Sequence, residues 1–264
     1  MTFIESILLG ITQGATEFLP VSSSGHLMVA RSFMGLGDIP ILFDILMHFP
    51  TLIAILLVFR RRVAGIILSI LHAASGKKRE NDGENLRLLA AIVVATLFTG
   101  LIGLAVDRIE RTLTIPVKGV GALFIVTAVI LIISRFFAGK KTYGDLGFRE
   151  GLITGVAQGI GVLPGISRSG ITISASLGAG ISREKAGEFS FLISVPAILG
   201  ALALKVKDVE LLPVDPLVLA AGLIACFLVG LLSLLLLMRL IRKGRLYLFS
   251  LYLVPLGVIV LLWG

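Results

Sequence analysis

The sequence is short of the residues that keep a globule in water. Charged side chains make up only 15% of its 264 residues, against roughly 25% in a soluble domain. It has a single cysteine, Cys226, which excludes an intrachain disulfide and a thiolate metal cluster. Because Cys226 lies inside an apolar run, its expected role is packing. The strict alternation of apolar and polar residues that marks barrel strands is missing, which excludes an outer-membrane barrel. No basic segment precedes the first apolar stretch in Met1–Gly10, so no cleavable signal peptide is expected. What fills the space is hydrocarbon: 56% of the residues are hydrophobic and the mean hydropathy is +1.04. Crossing a ~30 Å hydrocarbon core takes about 20 helical residues. The runs Ile41–Phe59, Leu86–Val106, Val117–Phe137, Glu188–Leu204, Pro216–Met238 and Leu246–Trp263 approach or reach that length. The fold class expected is an all-α polytopic membrane protein with about six full transmembrane helices.

The net charge of +8 would point to nucleic acid in a soluble protein. Here lysine and arginine gather in short loops between apolar runs, as orientation by positive charge inside requires, and no nucleic-acid partner is expected. Arg60-Arg61-Arg62, Lys77-Lys78-Arg79, the Arg135–Lys141 stretch and Arg239–Arg245 mark inner loops. Asp107–Pro116, whose charges cancel, and Lys205–Asp215 mark outer ones. The Lys77–Arg87 run reads as a solvated loop, and Val63–Ser75 as a helix lying at the inner interface.

Two stretches repeat each other. Gln13-Gly14, Leu19-Pro20, Ser24-Gly25, Phe43 and Pro50 return in order as Gln158-Gly159, Leu163-Pro164, Ser169-Gly170, Phe189 and Pro196. The chain is therefore one integral membrane domain over 1–264, with repeats at about 1–137 and 145–264. Loop charge places the chain inside at Gly144 and inside again near Lys185. The Gly-, Ser- and Thr-rich stretch between them must then enter and leave by one face. That is a re-entrant helical hairpin, allowed at membrane depth only where protein or water surrounds it. Its partner, Gly10–Arg31, should also be re-entrant, but from the opposite face. The result is an inverted-topology repeat with two re-entrant helical hairpins, a plan that builds sites near the bilayer midplane.

Each hairpin carries a polar motif. In the first, Gln13 and Glu17 stand four apart on one helix face, Pro20 ends that helix, and Ser22, Ser23, Ser24 and Gly25 make a polar turn. His26 follows three residues after Ser23, within reach if helix resumes. Acid and imidazole at membrane depth are costly unless paired, and so mark a functional site. The second hairpin reads Pro164-Gly-Ile-Ser-Arg-Ser-Gly-Ile-Thr172. Gly165 and Gly170 allow close backbone approach. Ser167, Ser169 and Thr172 are donors, Arg168 offers a planar fork suited to phosphate, and a helix restarting near Ser169 adds free amides. The bland alternatives are a serine-rich cap with His26 at the interface, and an Arg168 that only ties the hairpins together by pairing with Glu17. Asp44 and His48, and their counterparts Glu188 and Ser194, are weaker candidates to line the cavity. An acceptor-rich loop facing a donor-rich one suits phosphoryl transfer.

These motifs, together with Glu188-Phe-Ser-Phe-Leu, resemble the undecaprenyl-pyrophosphate phosphatase family of the bacitracin-resistance type over nearly the whole chain. The resemblance implies a multi-pass enzyme of the bacterial cytoplasmic (inner) membrane. Such an enzyme removes the terminal phosphate of a C55 polyprenyl pyrophosphate lipid and so recycles the carrier for cell-wall synthesis. It also implies a homodimer, a site opening to the outer side, and dependence on Mg2+ or Ca2+. Carried over, Glu17, Ser23, His26 and Arg168 take the catalytic positions, with Glu17 also the metal ligand. Gln13, Ser22, Ser24, Gly165, Ser167, Ser169, Gly170 and Thr172 take the substrate-binding ones. With Gln at 13 the first motif supplies one carboxylate, not two, to a cation, and Pro50 stands where a small residue is usual. In the mechanism expected, Ser23 attacks phosphorus and His26, or Glu17 through His26, takes its proton. Arg168, Ser167, Thr172 and amides hold the developing charge. Spacing leaves open whether Ser23 or His26 is the nucleophile. The alternative activity is a lipid-phosphate transporter using the same site.

Overall fold

A computed structural model of the chain describes residues 2–34, 41–77, 79–80, 82–112, 115–205 and 215–263, with the side chains of 41–45, 107, 110–112 and 205 left aside. Among the described residues the regular structure is all helix, apart from one isolated bridge between Lys141 and Ile181. The helices are α1 (Phe3–Phe18), α2 (Ser23–Met34), α3 (Ile41–Val58), α4 (Arg60–Ala74), α5 (Asp82–Thr112) and α6 (Val117–Ser134), then α7 (Phe148–Ile160), α8 (Arg168–Gly178), α9 (Arg183–Lys205), α10 (Pro216–Arg242) and α11 (Ser250–Trp263).

Five of these helices are long and apolar enough to cross a membrane: Asp82–Val106, Val117–Ser134, Arg183–Leu204, Pro216–Arg242 and Leu246–Trp263. Their surfaces confirm the solvent. Only 17% of the most apolar window of Asp82–Val106 is buried, and Val93, Leu97, Leu101 and Leu104 stand exposed along it. Such a helix, apolar on its outer face, belongs in lipid. The chain is a multi-pass membrane protein. The sixth expected span corresponds to α3, whose apolar stretch is described from Leu46 to Val58.

The helices of two successive pairs are too short to cross. In each pair, α1–α2 and α7–α8, the two helices pack against each other across a broken turn. Pro20 ends the first helix as expected, because it lacks the N–H that would continue the ladder; α1 stops at Phe18. Ser167 caps α8, its Oγ accepting from the Gly170 amide at 3.1 Å.

Helix contacts exchange in pairs. α1 packs on α10 and α7 on α5; α3 packs on α10 and α9 on α5; α6 packs on α11. Small residues allow each close approach. A Cβ on Gly14 would fall 2.9 Å from the Gly230 nitrogen, and one on Gly155 would fall 2.5 Å from the Ala95 oxygen. At the α6–α11 crossing, Cβ atoms on Gly121 and Gly257 would lie 2.7 and 2.8 Å from each other's carbonyl oxygens.

Two expectations change. α5 runs on to Thr112 rather than ending at Val106, because Asp107–Thr112 holds no proline or glycine to stop it. The Lys77–Arg87 run is not wholly a solvated loop. α5 begins at Asp82, which is buried and accepts from Ser69 Oγ at 2.7 Å and the Arg79 amide at 2.8 Å. Lys78, part of the expected inner loop, and most of the Lys205–Asp215 loop lie outside the described residues.

The glycine contacts carry a prediction. Gly121→Val and Gly257→Val should each force α6 and α11 apart and cost about 1–3 kcal/mol. The thermal midpoint of the detergent-solubilised protein, read by tryptophan-independent light scattering or CD, should fall for both. Gly100→Val, where a Cβ would meet nothing within 4 Å, should leave it unchanged.

Candidate active site

The two broken turns meet at one place. Ser22 lies between α1 and α2 with φ 71°, a left-handed conformation that a non-glycine residue rarely holds. There its Oγ accepts from the Gly25 amide at 3.4 Å and, from the other hairpin, the Gly165 amide at 3.0 Å. Gly165 has φ +98°, and a Cβ there would sit 2.8 Å from the Val120 oxygen. Thr127 of α6 pins the second turn on both sides: its Oγ1 donates to the Gly165 carbonyl at 2.9 Å and accepts from the Ser167 amide at 3.1 Å. Ser169 Oγ reaches back to the Leu19 carbonyl at 3.4 Å. This turn chemistry brings the N-termini of α2 and α8 side by side.

Glu17 stands at the junction. Arg168 donates to its Oε1 in a direct ion pair, and Ser23 Oγ donates to its Oε2 at 2.7 Å. Gln13, one turn earlier on the same face, donates to Oε2 at 3.1 Å. The Glu17 side chain is only 4% exposed, so this set of donors takes the place of water around a buried charge. Among the described residues the backbone amides of Arg168 and Ser169 donate no hydrogen bond, so the positive end of α8 adds to the guanidinium. A small cavity beside the pair is lined by Glu17, Arg168, Ser169, Thr172, Ser190 and Ser194 among others, with about 10 Å³ of free space. That is barely room for one water.

His48 is a stronger participant than its sequence position suggests. Its Nδ1 lies 3.5 Å from Glu17 Oε1 and 3.3 Å from Gln13 Nε2. It can donate to the first or accept from the second, not both at once. The only hint in sequence was its spacing after the first hairpin. The side chain of Asp44 lies outside the described residues.

His26 is placed differently from the expectation. α2 does resume at Ser23, but the ring turns away from the Ser23 hydroxyl. Nδ1 is 2.8 Å from the Ser22 carbonyl, so it carries the proton and donates. Nε2, 2.8 Å from Tyr252 Oη, therefore accepts from the tyrosine. The ring is stacked on Tyr252 and tilted against Phe124. Nothing in the first motif announces a partner from α11.

The remaining candidates serve the turns. Ser24 Oγ is 3.5 Å from Ser22 Oγ, and Ser167 Oγ is 3.2 Å from Ser169 Oγ. Thr172 Oγ1 donates to the Arg168 carbonyl at 2.8 Å. Gly170 lies against Ser167 and Pro20. Glu188 is outside the small cavity; it binds Arg62 Nε at 3.1 Å. Among the described residues no group of three or more His, Cys, Asp or Glu is placed to hold a metal. Gln13 Oε1, however, is buried with no partner. One carboxylate and one amide oxygen fit a hard cation that draws its other ligands from water and phosphate.

The family described as "Bacitracin resistance protein BacA" matches residues 6–259. An undecaprenyl-diphosphatase of Treponema denticola is 46% identical over 268 residues, covering 100% of this chain and 99% of that protein. Proteins of the same name from Borrelia recurrentis and Methanosphaera stadtmanae are 39% and 36% identical. They cover 94% and 99% of this chain, and 94% and 98% of their own lengths. The chain belongs to the BacA family.

The ion pair is testable by a double-mutant cycle. Glu17→Gln and Arg168→Gln should each destabilise the protein by leaving a buried charge uncompensated. The double variant should lose less than the sum, with a coupling of about 1–3 kcal/mol in detergent unfolding. Simple additivity would place the two side chains apart.

Proposed function

We propose that this chain hydrolyses undecaprenyl pyrophosphate to the monophosphate and inorganic phosphate. One observation carries the reading. A serine hydroxyl rests on a buried carboxylate, with an arginine and two helix N-termini alongside. A nucleophile, its base and an anion cradle are then within one contact of each other. The names of the relatives give the substrate class.

In this mechanism the pyrophosphate takes the Arg168 fork from Glu17, and the terminal phosphoryl oxygens lie against the amides of Arg168 and Ser169. Ser23 Oγ attacks the terminal phosphorus in line with the bridging oxygen. Its proton passes to Glu17 Oε2, which it already faces at 2.7 Å, and the bond to the lipid phosphate breaks. Glu17 gives that proton to the leaving phosphate. It then takes one from the water that attacks the phosphoserine, and returns it to Ser23 as phosphate departs. Glu17 thus acts directly rather than through His26. His26 positions the turn by donating to the Ser22 carbonyl, and Tyr252 holds its ring. Glu17 and Gln13 would hold a divalent cation, Mg2+ or Ca2+, which would neutralise charge on the pyrophosphate.

Several coarser features belong to the same proposal. The two halves are inverted with respect to the membrane, and each short helix pair is re-entrant. The site opens to the outer side of the bacterial inner membrane. The protein is a homodimer. Loop charge supports the orientation, exchanged helix contacts support the repeat, and the family resemblance supports the dimer.

Phosphate release from undecaprenyl pyrophosphate by the purified protein in detergent tests the function, since detergent offers no sealed compartment for transport. Arg168→Ala and Ser23→Ala should each lower turnover by ~10²–10³. His48→Ala should cost roughly tenfold, about 1.4 kcal/mol of barrier. Chelator should arrest release and added Mg2+ restore it. Normal turnover in Ser23→Ala, or a phosphoenzyme trapped on His26, would remove Ser23 as nucleophile.

A further inference from the structure

A second and much larger cavity lies behind the catalytic turn, at the end of the bundle that carries Arg60-Arg61-Arg62. Its volume is about 790 Å³, and it is lined by the α3–α4 junction, the start of α5, the start of α9 and the end of α10. Five arginines and three glutamates face it. The glutamates are committed: Glu188 and Glu84 pair with Arg62 at 3.1 and 3.6 Å, and Glu184 pairs with Arg242 at 3.0 Å. Arg60 donates only to the Leu57 carbonyl, at 3.1 Å. The side chains of Arg61 and Arg239 make no hydrogen bond or ion pair among the described residues. Three guanidinium groups without a carboxylate therefore border one cavity. These arginines border one half-open cleft, with Arg61 and Arg239 themselves exposed and an apolar wall of Val58, Leu235 and Met238 beside them.

No residue lines both this cavity and the small one beside Glu17. α3 and α9 pass from one to the other within about a turn. Ile55 and Phe191 line the small cavity, Phe59 and Glu188 the large one. Between them the Phe59 and Phe191 rings stack at 6.2 Å, and Phe18 meets Phe191 edge-on at 5.7 Å. The three rings stand between the two cavities.

We propose that the large cavity is a second anion site, which binds a phosphate group through Arg61 and Arg239 and is separate from the catalytic turn. Guanidinium stays charged at all relevant pH and its fork matches phosphate oxygens. The volume far exceeds one phosphate ion, and the apolar wall suits the first methylenes of a chain. The phosphate of an anionic lipid fits best; free phosphate shares the same chemistry.

Native mass spectrometry and calorimetry on the full-length detergent-purified protein test the site, with dioleoyl phosphatidic acid and inorganic phosphate as separate probes. Arg61→Gln/Arg239→Gln should weaken binding by roughly tenfold or more, the loss of two charge-assisted contacts. Phosphate release from the pyrophosphate lipid should stay within about twofold of the parent. Glu184→Gln frees Arg242 and should tighten binding, which guards against a double variant that merely folds poorly. Binding of phosphatidic acid alone with this dependence identifies a lipid site, and binding of both probes identifies a general phosphate site. Binding of either probe that ignores the double variant, or tightening absent in Glu184→Gln, overturns the proposal. Neither result bears on Ser23 or Arg168, so the hydrolytic reading stands or falls separately.

Discussion

The structure turns on one ion pair, Glu17 with Arg168, which joins two helical hairpins far apart in sequence. Neither charge is tolerable alone at its depth. Desolvating a carboxylate costs several kcal/mol even after relaxation, and Glu17 is almost fully buried. Its two oxygens are held by Arg168, Ser23 and Gln13, with His48 beside them. A buried pair of this kind seldom adds net stability over an apolar replacement. Its presence in a chain so poor in charge is better explained by chemistry than by folding. The pair sets a carboxylate against a hydroxyl and a guanidinium fork beside it, the arrangement on which the proposed reaction rests.

The pair is held in register by backbone that is not helical. Non-helical backbone at membrane depth survives only where protein satisfies its polar groups, and here side chains do so across the hairpins. Ser22 accepts the Gly165 amide, and Thr127 serves both the Gly165 carbonyl and the Ser167 amide. Ser22 accepts a left-handed φ to make that contact, a cost of order 1–3 kcal/mol. Gly165 avoids the same cost only because it has no side chain. The strain and the glycine sit on facing turns, where two helix N-termini must approach each other closely.

Much of this was legible in the sequence, and the exceptions share one cause. Local rules worked where local chemistry decides. Pro20 ended α1, a helix restarted close to Ser169, and the four-residue spacing put Gln13 and Glu17 on one face. The pairing of Arg168 with Glu17 stood in the sequence only as the bland alternative to an anion-binding role, beside pairing with an outer headgroup, and the structure shows the ion pair. What sequence could not supply was the direction of a side chain once tertiary contacts compete. His26 follows Ser23 by one helical turn, yet Tyr252 from α11 and the Ser22 carbonyl claim both its nitrogens. Asp82 sits in a charge-rich run that reads as solvated, yet Ser69 and His72 of α4 fold over it.

The two similar stretches of sequence differ at the positions that build the site. Gln13 and Gln158 hold equivalent places, and each reaches the helix that follows its own hairpin. Gln158 donates to Thr99 Oγ1 at 3.0 Å and to the Ile193 carbonyl at 3.3 Å, an arrangement of uncharged partners that fastens α7 to α5 and α9. Gln13 instead faces Glu17 and His48, residues that can gain or lose a proton. The motif position of Glu17 is filled by Val162 in the second half, and that of Arg168 by Ser23 in the first. The acid therefore stands in one hairpin and the cation in the other. Two identical copies would have set like charges face to face, which at this burial would be prohibitive. Division of charge between the halves is what lets a doubled scaffold hold one phosphoryl-transfer site at its centre.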